Sequence, residues 1–238
     1  MAAPNQPNPI SIQRGDYNWT PLAPLLMSLG RFLSIPLQYY IINKHPLSSS
    51  LDTPLPPLHF TLFLAMTVTL ATKQTIWLFT YCFERITIPF AISAILVTAL
   101  YESISALIFS VTPSNPLWHP YFLYIGFIIH LLAALAELAC ELPRAKFKRD
   151  PRNKGKLYTN GLFGIVRHPN LAANLVYGTA YGFAGGGPVY AIFTGGFYWG
   201  NLTGNAIPEK ERYLGEKYGG LWERYTGVVG WKMIPGIY

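Results

Sequence analysis

Residues 144–156 read RAKFKRDPRNKGK, seven basic residues against one aspartate, between two long apolar tracts. Short connections rich in Lys and Arg stay on the cytoplasmic side of a membrane. The stretch therefore predicts both a membrane protein and its orientation. Working back from it, four tracts are long enough to cross a hydrocarbon core of about 30 Å, which needs roughly 20 apolar residues. They cover 21–42, 58–81, 86–111 and 120–142. Pro54, Pro56 and Pro57 punctuate one connection, and Pro113, Pro116 and Pro120 another. Working forward, 171–183 and 188–207 are apolar and rich in Gly and Ala, with Gly185, Gly186 and Gly187 between them. That pattern predicts a tight helical hairpin whose small residues permit close helix contact.

The expected fold is all-α: a polytopic helical membrane protein with about six transmembrane helices and a C-terminal cofactor-binding half. Residues 1–16 are polar, without the charged and apolar regions of a signal peptide, and are expected to form a flexible tail. Residues 17–142 form the substrate side, and 143–238 carry the basic stretch, hairpin and aromatic tail. Both termini then lie in the cytoplasm. Composition agrees, with 51% hydrophobic, 15% aromatic and only 12% charged residues, against about 25% charged in soluble domains. The net charge of +7 in so apolar a chain points to an anionic cofactor or a lipid surface rather than to nucleic acid. Cys82 and Cys140 sit in apolar segments and read as small buried hydrophobes. No HxxH or HExxH spacing exists, so no metal site is expected.

Charges inside apolar tracts are costly and face the bundle interior. Lys73, beside Gln74, is either a cavity wall or the partner of an acid such as Glu102 or Glu137. Arg31 is expected to snorkel to the membrane surface. Glu84 and Arg85 mark a short turn, and Glu141 lies one turn from Arg144 and can orient it. In GIVRHPN (164–170), Arg167 and His168 can both donate to an anion, and Asn170 offers an amide suited to a carboxamide or nucleobase. In the tail, Glu211, Tyr218, Trp222 and Tyr225 can share one helical face or two short adjoining ones. That helix either packs its aromatics on the membrane part or forms a lid over a cofactor, with Glu211 binding a hydroxyl or amine.

The run KFKRDPRNKGKLYTNGLFGIVRHPN (146–170), the hairpin, and EKYGGLWERYTGVVGWKMIPGIY (216–238) resemble the C-terminal domain of steroid 5-alpha-reductase-type membrane proteins. Sterol C14 and C24 reductases are similar, and isoprenylcysteine carboxyl methyltransferases share a looser pattern. The resemblance covers roughly 137–238. It implies a helical membrane enzyme with a pocket open to the cytosol, in an endoplasmic-reticulum-type membrane. The pocket would hold NADPH in a reductase or S-adenosylmethionine in a methyltransferase. Carried over, it places Arg144, Lys148, Asn153 and Lys154 near phosphates, and Arg167, His168 and Asn170 near the nicotinamide half or the ribose. Glu211, Tyr218, Trp222 and Tyr225 fall on the adenine side. Seven cations favour NADPH. The expected activity is reduction of an activated C=C bond in a sterol- or terpenoid-like lipid, with Tyr101 and Glu102 as candidate proton donors. The alternatives are methyl transfer, or a cofactor-free isomerisation or cyclisation of a hydrophobic small molecule. The chain departs from the family where reductases read RHPNY, then Gly and an acid; here Leu171, Ala172, Ala173 and Asn174 follow Asn170. Methyltransferases usually show two adjacent acids where this chain has Lys210 and Glu211.

Overall fold

The structure is a computed structural model and describes residues 8–44 and 55–238. Among these residues there are helices and no strand; a single β-bridge joins Gln13 and Arg85. Four helices are long and apolar enough to cross a membrane: α1 (Leu22–Lys44), α2 (Pro57–Ile76, continued by a π turn to Tyr81), α3 (Ile88–Ser110) and α4 (Pro120–Arg149). The punctuating prolines do what their chemistry favours. Pro57, Pro89, Pro120 and Pro169 stand in the first turns of α2, α3, α4 and α5, where a missing N–H loses nothing. Thr87 caps α3 by accepting from Phe90 N at 3.2 Å. Pro54 lies outside the described residues.

α5 (Pro169–Asn201) is the expected hairpin. Gly187, with φ +74° and ψ −166°, breaks it into two arms. The arms meet in pairs that step outward from that turn: Gly186 with Tyr190, Gly182 with Thr194, Gly178 with Tyr198. The two arms are the fifth and sixth long helical segments, but among the described residues only α1 to α4 are long and apolar enough to cross a membrane. Val189, Ile192, Phe193 and Phe197 present an exposed apolar stripe on the second arm, as a lipid-facing helix requires. A Cβ at Gly182 would lie 2.2 Å from Thr194 Oγ1, while nothing lies within 4 Å of one at Gly196. Gly182→Val is therefore expected to cost about 1–3 kcal/mol by prying the arms apart. Gly196→Ala should be neutral or stabilising, by about 0.5–1 kcal/mol. Thermal unfolding of the two variants in detergent checks the contrast.

The core runs between α2, α3, α4 and the hairpin. Phe63 stacks on Phe109 at 4.2 Å, and Trp118 donates to Ala184 O at 3.2 Å. Gly126 of α4 lets Ala180 and Ala184 approach closely.

Three expectations need correcting. α4 does not stop before the basic stretch but runs on through Arg149. At 1.5 Å per residue its 30 residues span about 45 Å, so its last turns carry Arg144 and Lys148 out of the hydrocarbon. Residues 8–16 are not a loose tail. Gln13 N donates to Arg85 O at 3.1 Å and Arg85 N to Asp16 O at 2.7 Å, while Arg14 holds Glu84 at 2.5 Å. Residues 1–7 lie outside the described residues. Arg31 does not snorkel; it is 2% exposed and holds Glu102 at 2.5 Å, because a charge that deep is satisfied more readily by an opposite charge than by stretching to water.

The N-terminal segment, the α2–α3 turn, the end of α4, the start of α5 and the tail all lie on one face. Tyr17 Oη and Tyr213 Oη, 2.7 Å apart, tie the two ends of the chain together there.

Candidate functional site

A cavity of about 840 Å³ opens on this face and reaches down between α1, α2 and α3. Its size is that of a ligand pocket. Every residue nominated above lines it except His168 and Glu211.

The mouth is cationic. Arg144, from the protruding end of α4, is oriented by Glu141 as expected, at 2.5 and 2.7 Å. Lys148 donates to Tyr218 Oη at 2.6 Å and to Lys156 O at 2.8 Å. Asn153 turns its amide onto Phe147 O at 3.1 Å, which ties down the loop that carries Lys154. Lys210 and Lys217, which sequence reasoning did not single out, join them from the tail. Lys217 donates to Tyr213 Oη at 2.9 Å and to Tyr17 Oη. Among the described residues, none of Lys148, Lys154, Lys210 and Lys217 has a carboxylate partner. Burial, reinforced by the charge of Arg144, pushes the Lys210 ammonium down to about 8.

The tail forms the lid. α6 (Ile207–Tyr218) and α7 (Gly220–Val228) are broken at Gly219, where φ is +49°. Tyr218, Trp222 and Tyr225 face the cavity, and Tyr225 Oη donates to Phe163 O at 2.6 Å.

The GIVRHPN segment is built differently from its expected role. The anion held by Arg167 and His168 is Glu211 of the same chain. Arg167 grips it with two parallel bonds, Nε at 2.9 Å and Nη2 at 3.0 Å. His168 Nε2 meets it at 2.7 Å. The remaining Arg167 donor, Nη1, is taken by Val229 O and Gly230 O at 2.9 and 3.0 Å. The backbone follows suit: Arg167 N and His168 N donate to Trp231 O and Lys232 O. Burial pushes the His168 imidazole down to about 4, so at neutral pH it is an uncharged donor to the carboxylate. Burial alone would raise the Glu211 carboxyl, but the bonds from His168 and Arg167 outweigh it and hold it at about 2. The cluster fastens the lid; four of the five Arg167 N–H groups are spent within the chain, which leaves one on Nη2 where Arg167 borders the cavity. Asn170 does line the cavity, and its Oδ1 lies 3.4 Å from Lys210 Nζ.

Deeper in, the walls carry a polar layer. Tyr101 donates its hydroxyl to Gly178 O at 2.7 Å, and Glu102 is occupied by Arg31 and Ser34. Lys73 satisfies both of its readings, since it lines the cavity and holds Glu137 at 2.5 Å. Lys73 Nζ also donates to Tyr177 Oη at 3.0 Å, and Tyr177 in turn to Asn174 Oδ1. Asn174 Nδ2 closes the ring onto Glu137 at 3.0 Å. Lys73 lies eight residues before Tyr81 and Tyr177 eight after Pro169, so both sit about 12 Å inside the mouth. Tyr177 was not foreseen, although its place one turn past Asn174 was a usable signal. π turns at Trp77–Tyr81 and Leu202–Ala206 both border the cavity, a helix irregularity frequent at functional sites.

The profile of a family described as "Protein of unknown function (DUF1295)" matches residues 65–184. A probable O-methyltransferase of Ustilaginoidea virens, ustE, is 32% identical over 161 residues, covering 64% of this chain and 56% of that one. The 7-dehydrocholesterol reductase of Danio rerio is 34% identical over 86 residues, 36% of this chain and 18% of that one. The Delta(14)-sterol reductase of Ascobolus immersus is 32% identical over 87 residues, 37% and 20%. The chain thus spans little more than half of the first relative and about a fifth of the other two.

Proposed function

We propose that this chain, which belongs to the DUF1295 family of the steroid 5-alpha-reductase-like superfamily, is a membrane reductase that uses NADPH to saturate an activated C=C bond in a hydrophobic, sterol- or terpenoid-like molecule. The observation that carries the reading is the set of four lysines, Lys148, Lys154, Lys210 and Lys217, that line the cavity mouth without a carboxylate partner among the described residues. Cations gathered against their mutual repulsion fit a ligand with several phosphates. The lid aromatics Tyr218, Trp222 and Tyr225 offer faces for a flat base, and Asn170 an amide for a carboxamide. When bound, NADPH supplies a hydride. The protein's part is to hold the acceptor in the dry inner half and to provide a proton beside it. Tyr177 is the group placed to do so. Lys73 donates to its oxygen, and the Lys73–Glu137–Asn174 ring offers a route by which its proton is replaced. Tyr101 lines the same space, and both hydroxyls already have an acceptor, Gly178 O for Tyr101 and Asn174 Oδ1 for Tyr177; what separates them is that Tyr177 alone receives a bond from an ammonium, Lys73 Nζ.

Purified protein in detergent should bind NADPH saturably. Lys210→Met should weaken binding about five- to tenfold, the worth of roughly 1 kcal/mol for one charge contact. Binding should also fall as pH rises through about 8, where burial lets both Lys210 and Lys148 lose a proton, and that step should shrink in Lys210→Met to the part that Lys148 carries. Absence of saturable NADPH binding would remove the reading.

A second reading, methyl transfer from S-adenosylmethionine, is favoured by one observation: the relative named an O-methyltransferase matches 64% of this chain, against 36% and 37% for the two sterol reductases. S-adenosylmethionine carries no phosphate, and its single carboxylate, offset by its own ammonium and sulfonium, would leave most of the lysine cluster without a counter-charge. Calorimetry with S-adenosylhomocysteine alongside NADPH separates the two.

A further inference from the structure

Two donors of Arg31, Nε and Nη1, are buried without a hydrogen-bond partner among the described residues. Its third nitrogen, Nη2, holds Glu102 Oε1 at 2.5 Å, and Ser34 Oγ donates to Glu102 Oε2 at 2.9 Å. Each carboxylate oxygen thus has a partner within reach, while the guanidinium keeps two nitrogens open. Arg31 is 2% exposed and Glu102 0%, yet both border the cavity. Donors buried on a charged group without an acceptor are strongly unfavourable, and such a group calls for an explanation. Arg31 lies about 14 Å along α1 from Leu22. Along α1 and α3 the cavity wall is apolar at Met27, Phe90 and Ala94, and Thr98, Tyr177 and Tyr198 add hydroxyls to the same space. The apolar part of this wall suits a hydrophobic skeleton, and the guanidinium an oxygen acceptor. Because Glu102 already neutralises Arg31, a second carboxylate would bring an uncompensated charge into the membrane interior. An uncharged carbonyl would not.

We propose that Arg31 Nε and Nη1 form a two-pronged donor site for a neutral carbonyl oxygen carried on a hydrophobic skeleton, and that this sets the substrate class. The inference rests on the reading of the cavity as a substrate site, but not on which cofactor fills the mouth. The test compares three probes on the purified protein: 2-acetylnaphthalene, 2-ethylnaphthalene, which replaces the carbonyl by a methylene, and the anionic 2-naphthoate. The ketone is expected to bind about tenfold or more tighter than the hydrocarbon, as for a hydrogen bond to a charged group, and tighter than the carboxylate. In Arg31→Met/Glu102→Gln, which removes both charges together and buries no lone one, the ketone preference should fall to near unity with NADPH affinity unchanged. Arg31→Lys keeps the ion pair but loses the fork, and should give the same collapse if the double variant does not fold. Equal binding of ketone and hydrocarbon, a preference that survives both substitutions, or tightest binding of the naphthoate would each overturn the proposal. An Arg31-dependent ketone preference in a protein that does not bind NADPH would uphold it and remove the reductase reading alone.

Discussion

Replacing Glu211 by alanine is expected to lower stability by about 3–5 kcal/mol, the penalty for leaving one member of a buried ion pair alone, and to release the tail. Arg167 would keep only its bonds to Val229 O and Gly230 O, and its Nε and Nη2, with a side chain 7% exposed, would have no acceptor. Three attachments depend on this point: the Arg167 fork, the His168 bond, and the backbone pairing of residues 167 and 168 with Trp231 and Lys232. Limited trypsin digestion would read the release as faster cleavage at Lys210, Arg212 and Lys217, and thermal unfolding would read the stability. The same cluster gives the wild type a defined acid response. The folded Glu211 pKa, about 2, is below its ordinary 4.5, so its contribution is complete above pH 4.5 and is lost as pH falls from there through 2. His168 at about 4 is below its ordinary 6.5, so the unfolded chain binds its proton first and stability also falls from pH 6.5 to 4. Both act in one direction. Acidification should loosen the lid, and Glu211→Ala should lose the lower part of that profile.

The second large effect is on the chemistry. Tyr177→Phe is expected to reduce turnover by about 10²- to 10⁴-fold, the usual contribution of a positioned proton donor, while NADPH affinity stays unchanged. The ring of Tyr177 packs beside His130 and Tyr198, and the phenyl ring keeps those contacts. Lys73 retains Glu137, so no charge is stranded. The readout is NADPH oxidation against a panel of enone lipids, with equilibrium binding of NADPH measured on the same preparation. Tyr101→Phe is the companion: it removes one bond to Gly178 O and should affect stability more than rate. A Tyr177→Phe protein with wild-type turnover would dismiss Tyr177 as the donor.

What the sequence made legible follows from the range of the forces involved. The four spans are long, predominantly apolar runs with few charges, and lipid imposes that requirement locally. The helix starts follow from proline, and the hairpin turn from three successive glycines, of which Gly187 takes the positive φ. The basic mouth was legible because Arg144, Lys148 and Lys154 lie within one short stretch. The bonds of Arg167 and His168 to Glu211 were not legible because that partner is 44 and 43 residues away, and read locally both residues are free donors awaiting an anion. Arg31 failed for the same reason, with Glu102 71 residues distant. Lys210 and Lys217 were passed over because their polar helix carries no local sign that it folds back over the cavity. The docking of Arg14 on Glu84, 70 residues apart, was equally invisible in a polar stretch.

The cavity's two ends have a kinetic consequence. Its mouth is ringed by Lys148, Lys154 and Lys217, while its floor lies between α1 and α3, two of the helices long and apolar enough to cross a membrane. A soluble reactant would therefore reach the site in proportion to its molarity, and a lipidic one in proportion to its mole fraction in the bilayer. Rates on the lipid side scale with surface dilution, and diluting vesicles with buffer leaves that term untouched. An enzyme so placed works at a phase boundary, and two concentration scales, one per volume and one per membrane area, govern its saturation.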